Sequence, residues 1–331
     1  LDCFKRETPH MGFSRRNFCI GFVTLPALQV QAQTWPIKPV SIIVPQAPGG
    51  TNDALGRILA QKLTERLGQS FVVENKVGAG GNIGTAFAAK AQRDGYTLLL
   101  TISSTQAINP ALYKSTGFDP VKDFDPISPV GVVPNVLVVN PGFPARNLEE
   151  FLVAVRRKTP PYQYASAGNG SLNHLLGEML NRAAGLSLEH VPYKGVAPAI
   201  TDVIGGQVPM AFASLPSCIA HIKAGKLRAI GVSSARRSPV MPDIPSISEQ
   251  VPGCVGDLWV GLFAVAGTPM SIVDKLASEV TAVTSSPDVI EKFGALGAEV
   301  LRGGPTQLAT LVKDDLARWA PIVKASGARV D

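Results

Sequence analysis

The stretch from Pro45 to Gly84 reads PQAPGGTNDALGRILAQKLTERLGQSFVVENKVGAGGNIG, and it leaves few folds open. The β-branched run Val40–Val44 before it ends at Pro45 and has the character of a strand. In the following segment Leu55, Ile58, Leu59, Leu63 and Leu67 recur on one face at helical spacing, and Gly68 stops the pattern. Phe71–Glu74 predicts a second strand and Ile83–Ala91 a second helix. The Asp94-Gly95 turn leads into a third strand, Tyr96–Thr101. Strands alternating with helices in this way predict a sheet of parallel strands with helices on both faces.

Two glycine-rich loops interrupt that alternation, Pro48-Gly49-Gly50 and Gly78-Ala79-Gly80-Gly81, and each opens a helix. Glycine lets the chain turn sharply and lets a ligand come close to the amides. The first N–H groups of a helix have no partner inside it, and the helix dipole makes that end partly positive. Two such ends side by side would receive an anion, most simply a carboxylate. Thr51 and Asn52 are caps that can also face solute. Asp53 can pair with Arg57 four residues on, which suits a structural role better than contact with an acid. Ser103 and Ser104 end a strand at the same sheet edge.

Composition narrows the class. The chain has 331 residues, enough for two domains, and 45% of them are hydrophobic. The net charge of +6 includes no basic block with interleaved aromatics, so nucleic acid is not an expected partner. From Met11 the chain reads MGFSRRNFCIGFVTLPALQVQA: a basic pair, an apolar segment, then Val30-Gln31-Ala32. That order predicts a twin-arginine-like export signal over residues 1–32, with Met11 the true start and cleavage near Ala32, and a periplasmic mature protein. Of four cysteines, Cys218 and Cys254 remain after cleavage, and two separate buried thiols are expected rather than a bridge.

Beyond Ser104 the pattern loosens. Pro120, Pro126, Pro129, Pro134, Pro141 and Pro144 mark a passage between lobes, with Val136–Val139 a short strand inside it. A second α/β alternation runs from Leu148 to Ser233, and Pro239–Pro252 leads back into the strand Trp259–Ala266. The helical tail from Ile272 is expected to pack on the first lobe. The expected division is 33–139 plus 260–331 for the first lobe and 140–259 for the second, hinged near Val136–Val139 and Leu262–Val265.

The runs WPIKPVSIIVPQAPGGTNDALGRILAQKL, FVVENKVGAGGNIGT, AKAQRDGYTLL, YASAGNGSLNHL, VPYKGVAPAITDVIGGQVPMAFAS, GKLRAIGVSSARRSPVMPDIPSISE and WVGLFAVAGTP follow one another along the chain. They closely resemble the substrate-binding proteins of tripartite tricarboxylate transporters, the Bug family, over nearly all of the mature chain. The resemblance implies an α/β fold, periplasmic-binding-protein-like (type II), with two α/β lobes joined by two crossover strands. It implies a small carboxylate or amide solute held by the loops Pro48–Asp53 and Gly78–Gly81, with the second lobe adding Ser166–Ser171 (Ser166, Asn169 and Ser171) and Tyr193-Lys194-Gly195. It also implies delivery to the permease subunits of such a transporter by a monomer. Pro209 departs from the family, which commonly has Asp there.

An enzyme is a poor fit. Gly78–Gly84 lacks the third glycine of a dinucleotide fingerprint, since Ile83 stands in its place, and no G-x-S-x-G occurs. His174, His190 and His221 lack metal-ligand spacing, so no cofactor or metal is expected. His174 lies one position off the apolar face of its helix and suits a hydrogen-bonded structural role. A ligand-binding sensor for a signalling system is the alternative function.

Overall fold

The computed structural model describes residues 35–330, so the expected export signal lies outside the described residues. Trp35 onward is one compact unit containing two sheets. Eleven strands occur among the described residues: β1 Val40–Val44, β2 Phe71–Asn75, β3 Thr97–Ile102, β4 Phe124–Val133, β5 Asn135–Val139, β6 Gln163–Ser166, β7 Glu189–Pro192, β8 Met210–Ser214, β9 Arg228–Val232, β10 Leu258–Val265 and β11 Glu299–Val300. The first sheet runs β11-β4-β10-β3-β1-β2 and the second β7-β6-β8-β5-β9.

The expected alternation is present. Strands β1, β2 and β3 are parallel, and α1 (Thr51–Leu67) connects the first two. Leu55, Leu59 and Leu63 of α1 are fully or almost fully buried, which is the face their spacing predicted. Gly68 closes α1 at φ 71°, donating its N–H to Thr64 O at 3.0 Å. Helix α2 (Asn82–Ala89) links β2 to β3. After β3 the chain winds through a wide helical turn, Ser104–Ile108, into α3 (Asn109–Leu112), where the sequence showed no pattern.

The second sheet has the same logic. Strands β6, β7 and β8 are parallel, with α4 (Leu148–Arg156) before β6, α5 (Leu172–Ala184) and α6 (Val196–Ile204) between them and α7 (Leu215–Lys223) after β8. Helices α8 (Met270–Thr284) and α9 (Pro287–Ala295) return to the first sheet, and α10 (Pro305–Ser326) ends the chain.

Three expectations change. The proline-rich passage contains a ten-residue strand, β4, because its prolines fall where the pairing with β10 shifts register. Val136–Val139 belongs to the second sheet, where β5 pairs antiparallel with β8 and β9. The chain therefore passes from the first sheet to the second at Pro134, between β4 and β5, and returns at Gly256-Asp257, just before β10. The tail also reaches both lobes. Leu308 and Val312 of α10 pack in a cluster with Phe263, whereas Trp319 and Val323 lie in the second lobe's core with Leu172, Leu176 and Phe212. Cys218 and Cys254 are free, buried, and in different clusters, as the sequence suggested.

Candidate functional site

The two glycine loops and the end of β3 meet at the carboxyl edge of β2-β1-β3, and side chains knit them together. Gln46 Nε2 donates to Thr105 Oγ1 at 3.2 Å, and Thr105 Oγ1 donates to Gly80 O at 3.0 Å. Asn52 Nδ2 reaches Gln46 Oε1, and Asn109 Nδ2 donates both to Gly80 O and to Asn82 Oδ1. Ala79, at φ 47°, is followed by Gly80 and Gly81 in the left-handed region. A Cβ on Gly81 would lie 2.7 Å from Thr105 Oγ1, so only glycine allows this approach. Among the described residues no acceptor is found for the N–H groups of Thr51, Asn52, Ala79 or Gly80.

The loop Pro48–Asp53 divides by role. Pro48, Gly49 and Gly50 are exposed, Thr51 is half-buried, and Asn52 and Asp53 are buried. Asp53 turns inward: its carboxylate accepts from Gly49 N–H at 2.9 Å, from Arg57 Nε at 3.0 Å and from Asn75 Nδ2 at 3.0 Å. Burial alone would raise this carboxyl. The Arg57 guanidinium, the Gly49 amide and Asn75 outweigh it and hold the group below the usual carboxylate range. Asp53 thus has a local, structural role, whereas Thr51 and Asn52 are not the caps expected of them: Gly50 is the N-cap of α1 and no side chain caps it. Asp53→Ala is expected to cost about 1.5–3 kcal/mol, the worth of hydrogen bonds to a charged group, in urea unfolding; a change under a quarter of that would refute the structural role.

Between the lobes lies a cleft of about 300 Å³. The first lobe lines it with Gly80, Ser104, Asn109, Leu112 and Tyr113, and the crossings add Asn135 and Leu258. The second lobe lines it with Ala167, Asn169–Asn173 and Ser214. Of the residues singled out from sequence, Gly80, Ser104, Asn169 and Ser171 meet here. Gly78, Ala79 and Gly81 belong to the same loop as Gly80 but are not among the residues lining the cleft, and Pro48–Asp53 lies outside the lining as well.

Ser103 is buried and its hydroxyl donates to Asp257 O at 3.3 Å, tying β3 to the crossing. Ser166 is buried beneath its loop. Tyr193 is half-buried and its hydroxyl donates to Asp202 Oδ2 at 2.7 Å, while Lys194 is exposed. Tyr193 and Gly195 support the neighbouring loop through the backbone, since Tyr193 N–H donates to Ser166 O and Gly195 N–H to Ala167 O.

Asn109, Tyr113, Asn135, Asn173 and Leu258 were missed. Asn109 and Tyr113 sit in the segment without periodicity, and Asn135 and Leu258 begin strands whose position depends on partners far along the chain. Asn173 Nδ2 donates to Asn135 Oδ1 at 2.7 Å, joining α5 to the first crossing. The motif GNGSLN could have marked Asn173, two residues past the N-cap Ser171.

No charged side chain lines the cleft among the described residues. Its polarity comes from amides, hydroxyls and carboxamides, and from the first turn of α5 (Leu172, Asn173) behind Ser171 and the start of α7 at Ser214. Such a wall binds an anion through dipoles and unpaired N–H groups instead of a countercharge.

The sequence matches the family model of the tripartite tricarboxylate transporter family receptor over residues 55–328. The chain belongs to this receptor family. Among solved structures it is similar to the periplasmic binding protein BugD, at 38% identity and TM-score 0.76, covering 89% of this chain and 99% of that one. A protein of R. palustris with adipate is 34% identical, at TM-score 0.80 over 89% of this chain and 100% of that one. MatC from Rhodopseudomonas palustris with bound malate is 33% identical, at TM-score 0.75 over 87% and 99%. The family is one of solute-binding receptors and not of enzymes, and its fold is that of a periplasmic binding protein. Among the described residues no helix is long and apolar enough to cross a membrane.

Proposed function

We propose that this receptor captures a small carboxylate, or a related amide, between its two lobes in the periplasm and delivers it as a monomer to the permease subunits of a tripartite tricarboxylate transporter. The observation that carries this reading is the cleft lined by the unpaired Gly80 and Asn169 amides, by hydroxyls and carboxamides from both lobes and by the second lobe's helix starts, without a charged side chain. The adipate and malate bound by the two R. palustris relatives agree with it. The acid docks by one carboxylate on the first lobe near Gly80 and Ser104. The second lobe rotates about the crossings at Pro134 and Gly256-Asp257 and brings Asn169 and Ser171 onto the solute, a hinge closure. The chain is exported by the signal in residues 1–32.

A thermal-shift panel on the protein from Gln33 onward tests the reading. Malate, adipate, other di- and tricarboxylates, acidic amino acids, aromatic acids and nicotinamide are the probes. A bound acid at a hundred times its Kd stabilises the protein by about 2.7 kcal/mol, a clear rise in midpoint. Silence from every acid and amide, or a shift with NAD, overturns the proposal.

A further inference from the structure

The second-lobe wall of the cleft rests on a buried aromatic pair. His174 of α5 and His190 of β7 stack with ring centroids 3.8 Å apart and planes inclined by 10°. His174 is 5% exposed and His190 half-buried. Gly170 N–H donates to His174 Nδ1 at 3.0 Å. Gly168 N–H donates to Ser166 Oγ at 3.0 Å, and that hydroxyl shares a 2.6 Å bond with His190 Nε2. Two alternate amides of one loop therefore end on the pair, one directly and one through Ser166.

We propose that His174 and His190 are positioning residues for the solute: by drawing the N–H groups of Gly168 and Gly170 inward, they present Asn169 and Ser171 to the cleft. Asn169 lies between the two anchored glycines. Its own N–H has no acceptor among the described residues, and Asn169 lines the cleft. Gly170 is also where the lobes touch, since a Cβ there would lie 2.2 Å from Leu112 Cδ2 of α3. A loop set a fraction of an ångström differently would meet both the solute and the first lobe wrongly.

The arrangement requires an uncharged His174 ring; His190 Nε2 can either accept from or donate to Ser166 Oγ. His174 Nδ1 accepts, so its proton sits on Nε2, facing Glu178 Oε1 at 4.0 Å. A second proton on Nδ1 would set a donor against the Gly170 N–H. Burial lowers both rings to about 4, and for His190 the charge on His174 adds to it. The titratable groups facing the pair are Glu178, on the same helix, and Tyr164 of β6, whose hydroxyl donates to Glu178 Oε1 at 2.9 Å. Glu189, next to His190, is exposed. Beyond Glu178 lies the exposed, charged Arg182 of the same helix, and α10 offers Ile322, Ala325 and Ser326, none of them titratable.

The binding arm of the test rests on the carboxylate reading above; the amide arm does not. Titration calorimetry at pH 7.5 with adipate and malate compares the wild type with His174→Phe, which keeps a flat ring, and His174→Asn, which keeps an acceptor near the Nδ1 position. The Phe variant is expected to bind about tenfold more weakly, the worth of one buried hydrogen bond, and the Asn variant nearly as well as the wild type. Equal affinity in the Phe variant, or equal loss in both, overturns the proposal. The wild type without solute gives the second measurement, and it stands even if the Phe variant fails to fold. The Gly170 amide resonance should shift with the same midpoint as the His174 ring as pH falls from 6. An amide that stays fixed while the ring titrates also overturns it. If neither acid binds the wild type, the carboxylate reading falls, and the amide titration alone decides the positioning role.

Discussion

Trp319→Ala is expected to destabilise the protein by about 3–5 kcal/mol, the range for removing a large buried aromatic side chain. Trp319 is fully buried, yet it comes from the last helix and sits in the core of the lobe that the chain left long before. Its ring lies under the second crossing: a Cβ on Gly256 would meet Trp319 Cη2 at 3.1 Å. The neighbouring Arg318 guanidinium stands 4.7 Å from the ring centroid and donates to Val255 O at 3.3 Å. Because the first half of α10 is anchored on the first lobe through Leu308 and Val312, the helix acts as a third tie between lobes. Urea unfolding should show the midpoint falling strongly. A loss below about 0.5 kcal/mol, the scale of an ordinary surface substitution, would mean that α10 does not hold the second lobe.

Asp257→Asn should stabilise the protein, and more so as pH rises. Asp257 stands at the second crossing with its carboxyl turned inward. Its side chain meets the Ser233 hydroxyl at 3.3 Å, while Ser233 N–H donates to Asn135 O at the other crossing. Burial pushes this carboxyl up to about 7; Ser233 and Arg318 oppose the rise, and Glu299 and Asp315 add to it as like charges. A raised carboxyl favours the proton in the folded state. Below the unfolded value near 3.8 the folded and unfolded states bind it equally. Between there and pH 7 the unfolded chain ionises first, so stability is progressively lost as pH rises, and the full penalty is in place above pH 7. A shift of this size corresponds to roughly 4 kcal/mol at most. The thermal midpoints of wild type and Asp257→Asn should therefore nearly coincide at pH 4 and separate by several degrees at pH 8. Curves that remain parallel across that range would show that Asp257 ionises freely. Leu258 next to it lines the cleft, so the same charge sits where the chain crosses between the two sheets.

The site was legible in part, and the division follows from range. Gly80, Ser104, Asn169 and Ser171 could be found because each lies in or beside a strand-to-helix turn, and a turn is written in a few adjacent residues. The i,i+4 partnership of Asp53 with Arg57 was readable for the same reason. That Asp53 also takes Gly49 N–H and Asn75, and so faces away from the cleft, depends on where β2 delivers Asn75. Ser166 shows the reverse error: it stands at a strand end as expected, but its hydroxyl points beneath the loop toward His190, and strand alternation alone does not say which face the solute uses.

By itself the sequence determined the two α/β alternations, the strand–glycine–helix turns and the membership of a solute-receptor family, because apolar period and turn chemistry are properties of neighbouring residues. Only the tertiary structure decided that β5 joins the second sheet, that α10 fills the second lobe's core, and that Asn135, Tyr113 and Leu258 share a wall with Asn169. An apolar strand such as Val136–Val139 is equally content in either sheet; its partners, β8 and β9, are chosen by packing among residues more than seventy positions away.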